Sequence, residues 1–104
     1  AAAEVVRAHT RPDALIIASM IDTDWCDPRL LYRADRRGWP VKTAYLDGQV
    51  LALLRREGAD DVVLVVPRAA ALRATEFLRL MPFERYDLAR LDHVVFIARL
   101  RSGP

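Results

Sequence analysis

Between Ile21 and Pro40 the chain gathers its most chemically capable side chains: Asp22, Asp24, Trp25, Tyr32, Arg36 and Trp39. Carboxylates accept hydrogen bonds from sugar hydroxyls, and an indole ring stacks on the apolar face of a pyranose. Together they would make a site for a sugar. The same residues have a plainer use. Asp22 and Asp27 serve as turn and cap residues, and Trp25 and Trp39 close the hydrophobic core. Trp39 follows Gly38 and precedes Pro40, so its ring is expected to fold back over a helix end. Paired carboxylates for glycoside hydrolysis need a deep cleft, which 104 residues barely build.

Arg29, Arg33, Arg36 and Arg37 stand at i, i+4, i+7 and i+8, the spacing of one helix face. Such a stripe would rest against phosphate, in a lipid head group or a ligand. The alternative is a solvated face, paired in part with Asp35.

Other chemistries are poorly supplied. There is no Gly-x-Gly-x-x-Gly and no Walker loop to cradle a phosphate, and Gly38, Gly48 and Gly58 read as helix ends. His9 and His93 lie far apart without metal-ligand spacing, so neither a metal nor a cofactor is expected. His93, beside Asp92, reads as a surface or edge histidine. Ser19 and Ser102 lack a nucleophile elbow. Cys26 sits among Asp22, Asp24 and Asp27, whose charges disfavour a thiolate; it reads as a packed small residue. As the only cysteine it forms no internal disulfide. No catalytic residue is assigned.

The elements that must position these residues follow from hydrophobic pattern. Residues 1–9 read as a helix, broken by Pro12. The apolar run 14–18 suits a strand covered on both faces. Asp27-Pro28 starts a helix that carries Leu30, Leu31 and Ala34 inward and stops at Gly38. A strand is expected over 41–45, and a helix from Asp47-Gly48 to Gly58. Residues 62–66 form the clearest strand. A helix over 69–80 turns Ala70, Ala74, Phe77, Leu78 and Met81 inward. Strands over 84–89 and 93–100 are joined closely enough for an antiparallel hairpin. This alternation predicts a Rossmann-like, three-layer α/β sandwich. Its sheet is expected to be mostly parallel, of about five strands, with an antiparallel C-terminal edge strand.

Composition narrows the class. A chain of 104 residues is one domain, and 53% apolar with 29% charged residues excludes a disordered or collagen-like chain. No apolar run approaches the ~18 residues that span a bilayer, so a soluble domain is expected. Sixteen basic residues oppose fourteen acidic ones for a net charge of +2. The acids are interspersed almost everywhere, which argues against a nucleic-acid partner. Ala1-Ala2-Ala3-Glu4 lacks the basic and apolar regions of a signal peptide and reads like a helix joined partway along. The domain is therefore expected to be excised from a longer chain.

Two stretches then carry a resemblance. Asp22-Thr23-Asp24-Trp25, followed by Asp27-Pro28-Arg29-Leu30-Leu31-Tyr32-Arg33-Ala34-Asp35-Arg36-Arg37-Gly38-Trp39, resembles a segment near the C-terminus of bacterial dolichyl-phosphate-mannose-protein mannosyltransferase-like enzymes, glycosyltransferase family 39. The family shows an aspartate-rich turn, an Asn-Pro or Asp-Pro helix start, then Tyr-Tyr-Ala-(Asp/His)-Arg-(Lys/Arg)-Gly-Trp. Here Leu31 stands at the first tyrosine, and Arg33 intervenes before Ala34. The match covers about twenty residues; elsewhere only the pattern of elements agrees.

The resemblance implies a non-catalytic C-terminal domain on the extracytoplasmic, periplasmic face of a membrane glycosyltransferase that uses a polyprenyl-phosphate sugar. The family's acidic catalytic loop beside its membrane helices has no counterpart here. Implied partners are the transmembrane portion of the parent protein, the polyprenyl-phosphate sugar or acceptor, and the membrane surface. The competing reading is a stand-alone α/β ligand-binding domain or enzyme using the Asp22–Trp39 loop.

Overall fold

Thr10 ends the first helix from within. Its hydroxyl donates to the Val6 carbonyl, 2.6 Å away, and Pro12 follows two residues on. In the computed structural model, which describes residues 2–20, 29–42, 46–79, 81–88 and 92–100, that helix is α1 (Ala2–His9). The elements that follow are β1 (Leu15–Met20), α2 (Arg29–Arg33), β2 (Arg37–Pro40), α3 (Gly48–Arg56) and β3 (Asp61–Pro67). A 3-10 turn (Arg68–Ala70) leads into α4 (Ala71–Leu78), and the chain closes with β4 (Phe83–Asp87) and β5 (His93–Arg99).

The five strands form one mixed sheet in the order β2-β1-β3-β5-β4. β1 pairs in parallel with β2 and with β3, and β5 runs antiparallel to both β3 and β4. Four strands therefore point one way and β5 alone is reversed. This corrects the expected edge. The C-terminal strand is antiparallel, but it lies inside the sheet, and β4 takes the edge. The physical reason is in the side chains. Val94 to Ala98 are all buried, so both faces of β5 need cover, whereas β4 exposes Glu84, Arg85 and Asp87 and tolerates an edge.

Alternation along the strands divides the core in two. Ile16, Ala18, Val63, Val65, Val95 and Ile97 join Val6 of α1 and Leu30 and Leu31 of α2. Ile17, Val62, Leu64, Val66, Val94 and Phe96 join Ala71, Ala74 and Leu78 of α4, with Leu51 and Leu54 of α3 packed alongside. Fully burying a side chain such as Ile16, Leu64 or Phe96 stabilises the fold by about 1.5–3 kcal/mol. Phe77, expected on the inner face of α4, lies exposed at 36%; Ala71 takes a place on that face instead.

Two helices stop by the same device. After α3, Gly58 adopts φ +108°, its amide donates to Arg55, and the next amide, of Ala59, donates to Leu54. This is the Schellman arrangement, and glycine supplies the left-handed residue at no steric cost. After α2 the same two bonds form, from Asp35 to Tyr32 and from Arg36 to Leu31, but the left-handed residue is Asp35, at φ +55°. The helix therefore stops before the expected Gly38. The strand that follows is Arg37–Pro40, ahead of the expected 41–45, of which 43–45 lie outside the described residues.

Gly38 has a different task. It pairs with Ile16 at φ +151°, and a Cβ there would lie 1.8 Å from the Ile16 carbonyl oxygen. Only a residue without a side chain lets β2 approach β1. Pro40, lacking an N–H, is tolerated because β2 is an edge strand.

Gly38→Ala is expected to destabilise the domain by about 3 kcal/mol or more, through backbone strain and steric overlap. Gly48→Ala is the control, because a Cβ there meets nothing within 4 Å. It is expected to be neutral or to stabilise by about 0.4–1 kcal/mol. Urea titrations of the two variants and the parent check both values.

Candidate functional site

The ends of α1 and α2 meet beside the beginnings of β1 and β2, and between them lies an open groove of about 940 Å³. Arg7, Asp13, Tyr32, Arg33, Asp35, Arg36 and Arg37 supply its polar lining, with Pro12, Ala14, Leu15 and Leu31 as apolar wall.

One side chain builds this groove. The Arg36 guanidinium has five N–H groups. Its Nε donates to Thr10 Oγ1 at 2.9 Å. Its Nη1 donates to the carbonyls of Ala34 at 3.3 Å and Asp35 at 3.0 Å. Its Nη2 donates to the carbonyls of Arg7 at 2.9 Å and Thr10 at 3.1 Å. The last carbonyls of a helix have no partner within it and carry partial negative charge. Arg36 meets the Arg7 carbonyl in the last turn of α1 and the carbonyls of the residues that follow α1 and α2.

A second arginine holds the other side of the α1 terminus. Arg99 donates to the His9 carbonyl at 2.8 Å and pairs with the buried Asp61 at 3.0 Å. It also lies 3.7 Å from Glu84. Glu84 accepts a 2.7 Å hydrogen bond from the Tyr86 hydroxyl, and the Tyr86 ring stacks on His9 with centroids 4.1 Å apart. That bond holds the phenol protonated and is the first cause of a tyrosine pKa above the ordinary value; burial and the Glu84 charge add to it, while Arg99 opposes. Next to this network, Asp60 accepts from the Leu15 amide at 2.9 Å and pairs with Arg11 at 3.3 Å, joining β3 to the start of β1.

At the opposite end of β3, Arg68 lies 3.5 Å from Asp87 and 3.2 Å from Asp92, closing the β4–β5 connection. Asp87 also accepts from Arg85 at 2.8 Å. The Arg85 bond, foremost, holds the Asp87 carboxyl below the usual carboxylate range, and Arg68 adds to it. These groups are solvent-exposed, where water screens the pairing, so they trim an edge rather than build a site.

The sequence-predicted residues fall in different places. Asp22, Asp24 and Trp25 lie outside the described residues, as do Cys26, Asp27 and Pro28. Tyr32 stands on α2 with 86% of its surface exposed, in the groove. Trp39 is half-buried on β2 and packs with the Ile17–Phe96 cluster on the other face of the sheet. Tyr32 and Trp39 therefore do not share a site.

The basic stripe is not one helix face. Arg29 and Arg33 belong to α2, Arg36 to the turn after it and Arg37 to the start of β2, because the helix ends early at Asp35. Arg33, Arg36 and Arg37 nevertheless reach the same groove. Arg7 and Asp13 join them from α1 and the turn beyond, a meeting that no local spacing announces. Nor does spacing announce the Arg99–Glu84–Tyr86–His9 network, whose members come from three elements.

The groove offers guanidinium donors and a phenol, which suit binding of an anion, against two carboxylates that oppose it; among the described residues its lining includes no histidine, cysteine or serine. Among the described residues no three His, Cys, Asp or Glu side chains converge as metal ligands, and no helix is long and apolar enough to cross a membrane.

Arg36→Ala is expected to cost about 2–4 kcal/mol, because several helix-end carbonyls lose a charged donor together. Arg36→Lys keeps the charge without the planar fork and is expected to recover less than half of that loss. Denaturant midpoints check both. For Tyr86, the folded-state pKa lies above the unfolded value of about 10. Its contribution is therefore present below that pH and lost as the pH climbs through the folded value. Ultraviolet titration of the phenols should find Tyr86 ionising late, and Glu84→Gln should bring it back toward the ordinary value.

Comparison of the chain with protein-family models, with curated proteins and with solved structures gave no match in any of the three.

Proposed function

We propose that this chain is a non-catalytic accessory domain on the extracytoplasmic face of a membrane glycosyltransferase that draws on a polyprenyl-phosphate sugar. One observation supports this above others. Several of the described residues that carry the family resemblance are spent on architecture. Ala34 is fully buried, Asp35 supplies the left-handed helix stop, Arg36 caps two helices and Gly38 admits β2 against β1. That these positions serve folding supports a scaffold rather than a reaction centre. Catalysis would then belong to the transmembrane portion, and this domain would help to shape the entrance for acceptor or lipid-linked sugar.

The finer architecture belongs to the same reading. Helices α1 and α2 contribute to one core cluster, and α3 and α4 to the other. This supports a three-layer α/β sandwich with right-handed crossovers.

The native polypeptide provides the test. An antibody raised against residues 2–100 is expected to detect, in cells that make this protein, a membrane-fraction polypeptide far larger than the 11.8 kDa of this chain. The isolated domain is expected to transfer no sugar from a polyprenyl-phosphate donor. A free native polypeptide of the chain's own size, or turnover by the isolated domain, would overturn the proposal and return the stand-alone reading.

A further inference from the structure

We infer that the groove between the ends of α1 and α2 is a phosphate-binding site, with Arg7, Arg33 and Arg37 as cationic ligands and Tyr32 as a hydroxyl donor. This stands on the groove itself and goes beyond the accessory-domain reading.

Charge comes first. Four arginines line the groove against two carboxylates, Asp13 and Asp35. Arg36 is no ligand, because its five N–H groups are already committed to Thr10 and to four backbone carbonyls. Its charge remains in the groove all the same. Its bonds also occupy the carbonyl ends of two helices, which would otherwise turn partial negative charge toward an incoming anion. The architectural arginine thereby makes the site receptive.

Availability comes next. Arg33 and Arg37 are solvent-exposed, and neither forms an ion pair among the described residues. Arg7 gives its backbone carbonyl to the scaffold, and the residue also lines the groove. Planar guanidinium forks from separate elements match a tetrahedral phosphate, which accepts along several directions; a carboxylate is satisfied by one fork. The phenol of Tyr32, on the same rim, adds a neutral donor. At about 940 Å³ the open groove takes a phosphate or diphosphate together with part of the group it esterifies. A soluble phosphate compound and a lipid head group share this chemistry.

Inorganic pyrophosphate titrated into the full chain, followed by ¹H–¹⁵N NMR, distinguishes the outcomes. Saturable shifts confined to Arg7, Asp13–Leu15 and Leu31–Arg37, weakening as ionic strength rises, are expected. Arg33→Glu with Arg37→Glu should weaken binding by about tenfold or more. The milder pair Arg33→Gln with Arg37→Gln serves as the second test of the same residues. Arg56→Glu with Arg73→Glu makes the same charge change on α3 and α4 and should leave binding intact. Vesicles of phosphatidylglycerol, against vesicles of phosphatidylcholine, form the second arm. Pyrophosphate saturation assigns a diffusing phosphate ligand. Salt-sensitive retention on phosphatidylglycerol alone, lost in Arg33→Glu with Arg37→Glu, assigns a head group. Equal weakening by the α3–α4 pair, shifts spread over the whole surface, or no response in either arm would overturn the site. A small free native polypeptide would sink the accessory-domain reading and leave this one standing.

Discussion

Five hydrogen bonds from one guanidinium tie together the ends of two short helices. Helix α2 has five residues and α1 has eight, both far below the length at which an isolated helix persists in water. They survive by packing Val6, Leu30 and Leu31 against the sheet and by having their exposed carbonyl ends met. Arg36 sits where those two ends converge. The planar fork matters as much as the charge, because the acceptors lie on both sides of it. With α1 and α2 fixed, Arg37 enters β2 at once, and Gly38 brings that strand against Ile16.

The same economy separates scaffold from function within one short segment. From Leu30 to Trp39, the residues turned inward or committed to the backbone are Leu30, Leu31, Ala34, Asp35, Arg36, Gly38 and Trp39. Tyr32, Arg33 and Arg37 remain turned to solvent. In the proposed reading the second set meets the phosphate, while the resemblance to membrane glycosyltransferases draws on both sets. A surface residue and its neighbour in sequence thus answer to different constraints. Arg36 and Arg37 are adjacent and chemically identical, yet one is a brace and the other is free to bind.

The sheet's two edges are guarded in different ways. β2 is four residues long and ends in Pro40, which offers no N–H to a further strand. β4 presents Glu84, Arg85 and Asp87, charges of both signs that would have to be desolvated by any added strand. Such edges keep the strongly apolar β3 and β5 inside, where each is flanked on both sides.

Much of the fold was legible in sequence because it depends on local physics. Continuous apolar runs named β1, β3 and β5; Asp47-Gly48 and Gly58 bracketed α3, and Asp47 does cap it, accepting from Val50 at 2.9 Å. The antiparallel hairpin followed from the short link before His93. What the sequence left undecided depends on contacts between distant residues. Gly38 reads locally as a helix stop, and only the approach of Ile16 turns it into a strand residue. β5 reads as the last strand and so as an edge, and only burial of both its faces places it inside. Four arginines read as one helical stripe, and only the early left-handed turn at Asp35 breaks it up, bringing Arg33 and Arg37 to the groove and making Arg36 a brace. Patterning and turn chemistry act within a few residues, so the sequence alone determined which elements exist. Strand order, groove and the work of each arginine arise from groups tens of residues apart, which only the packed structure brings into reach.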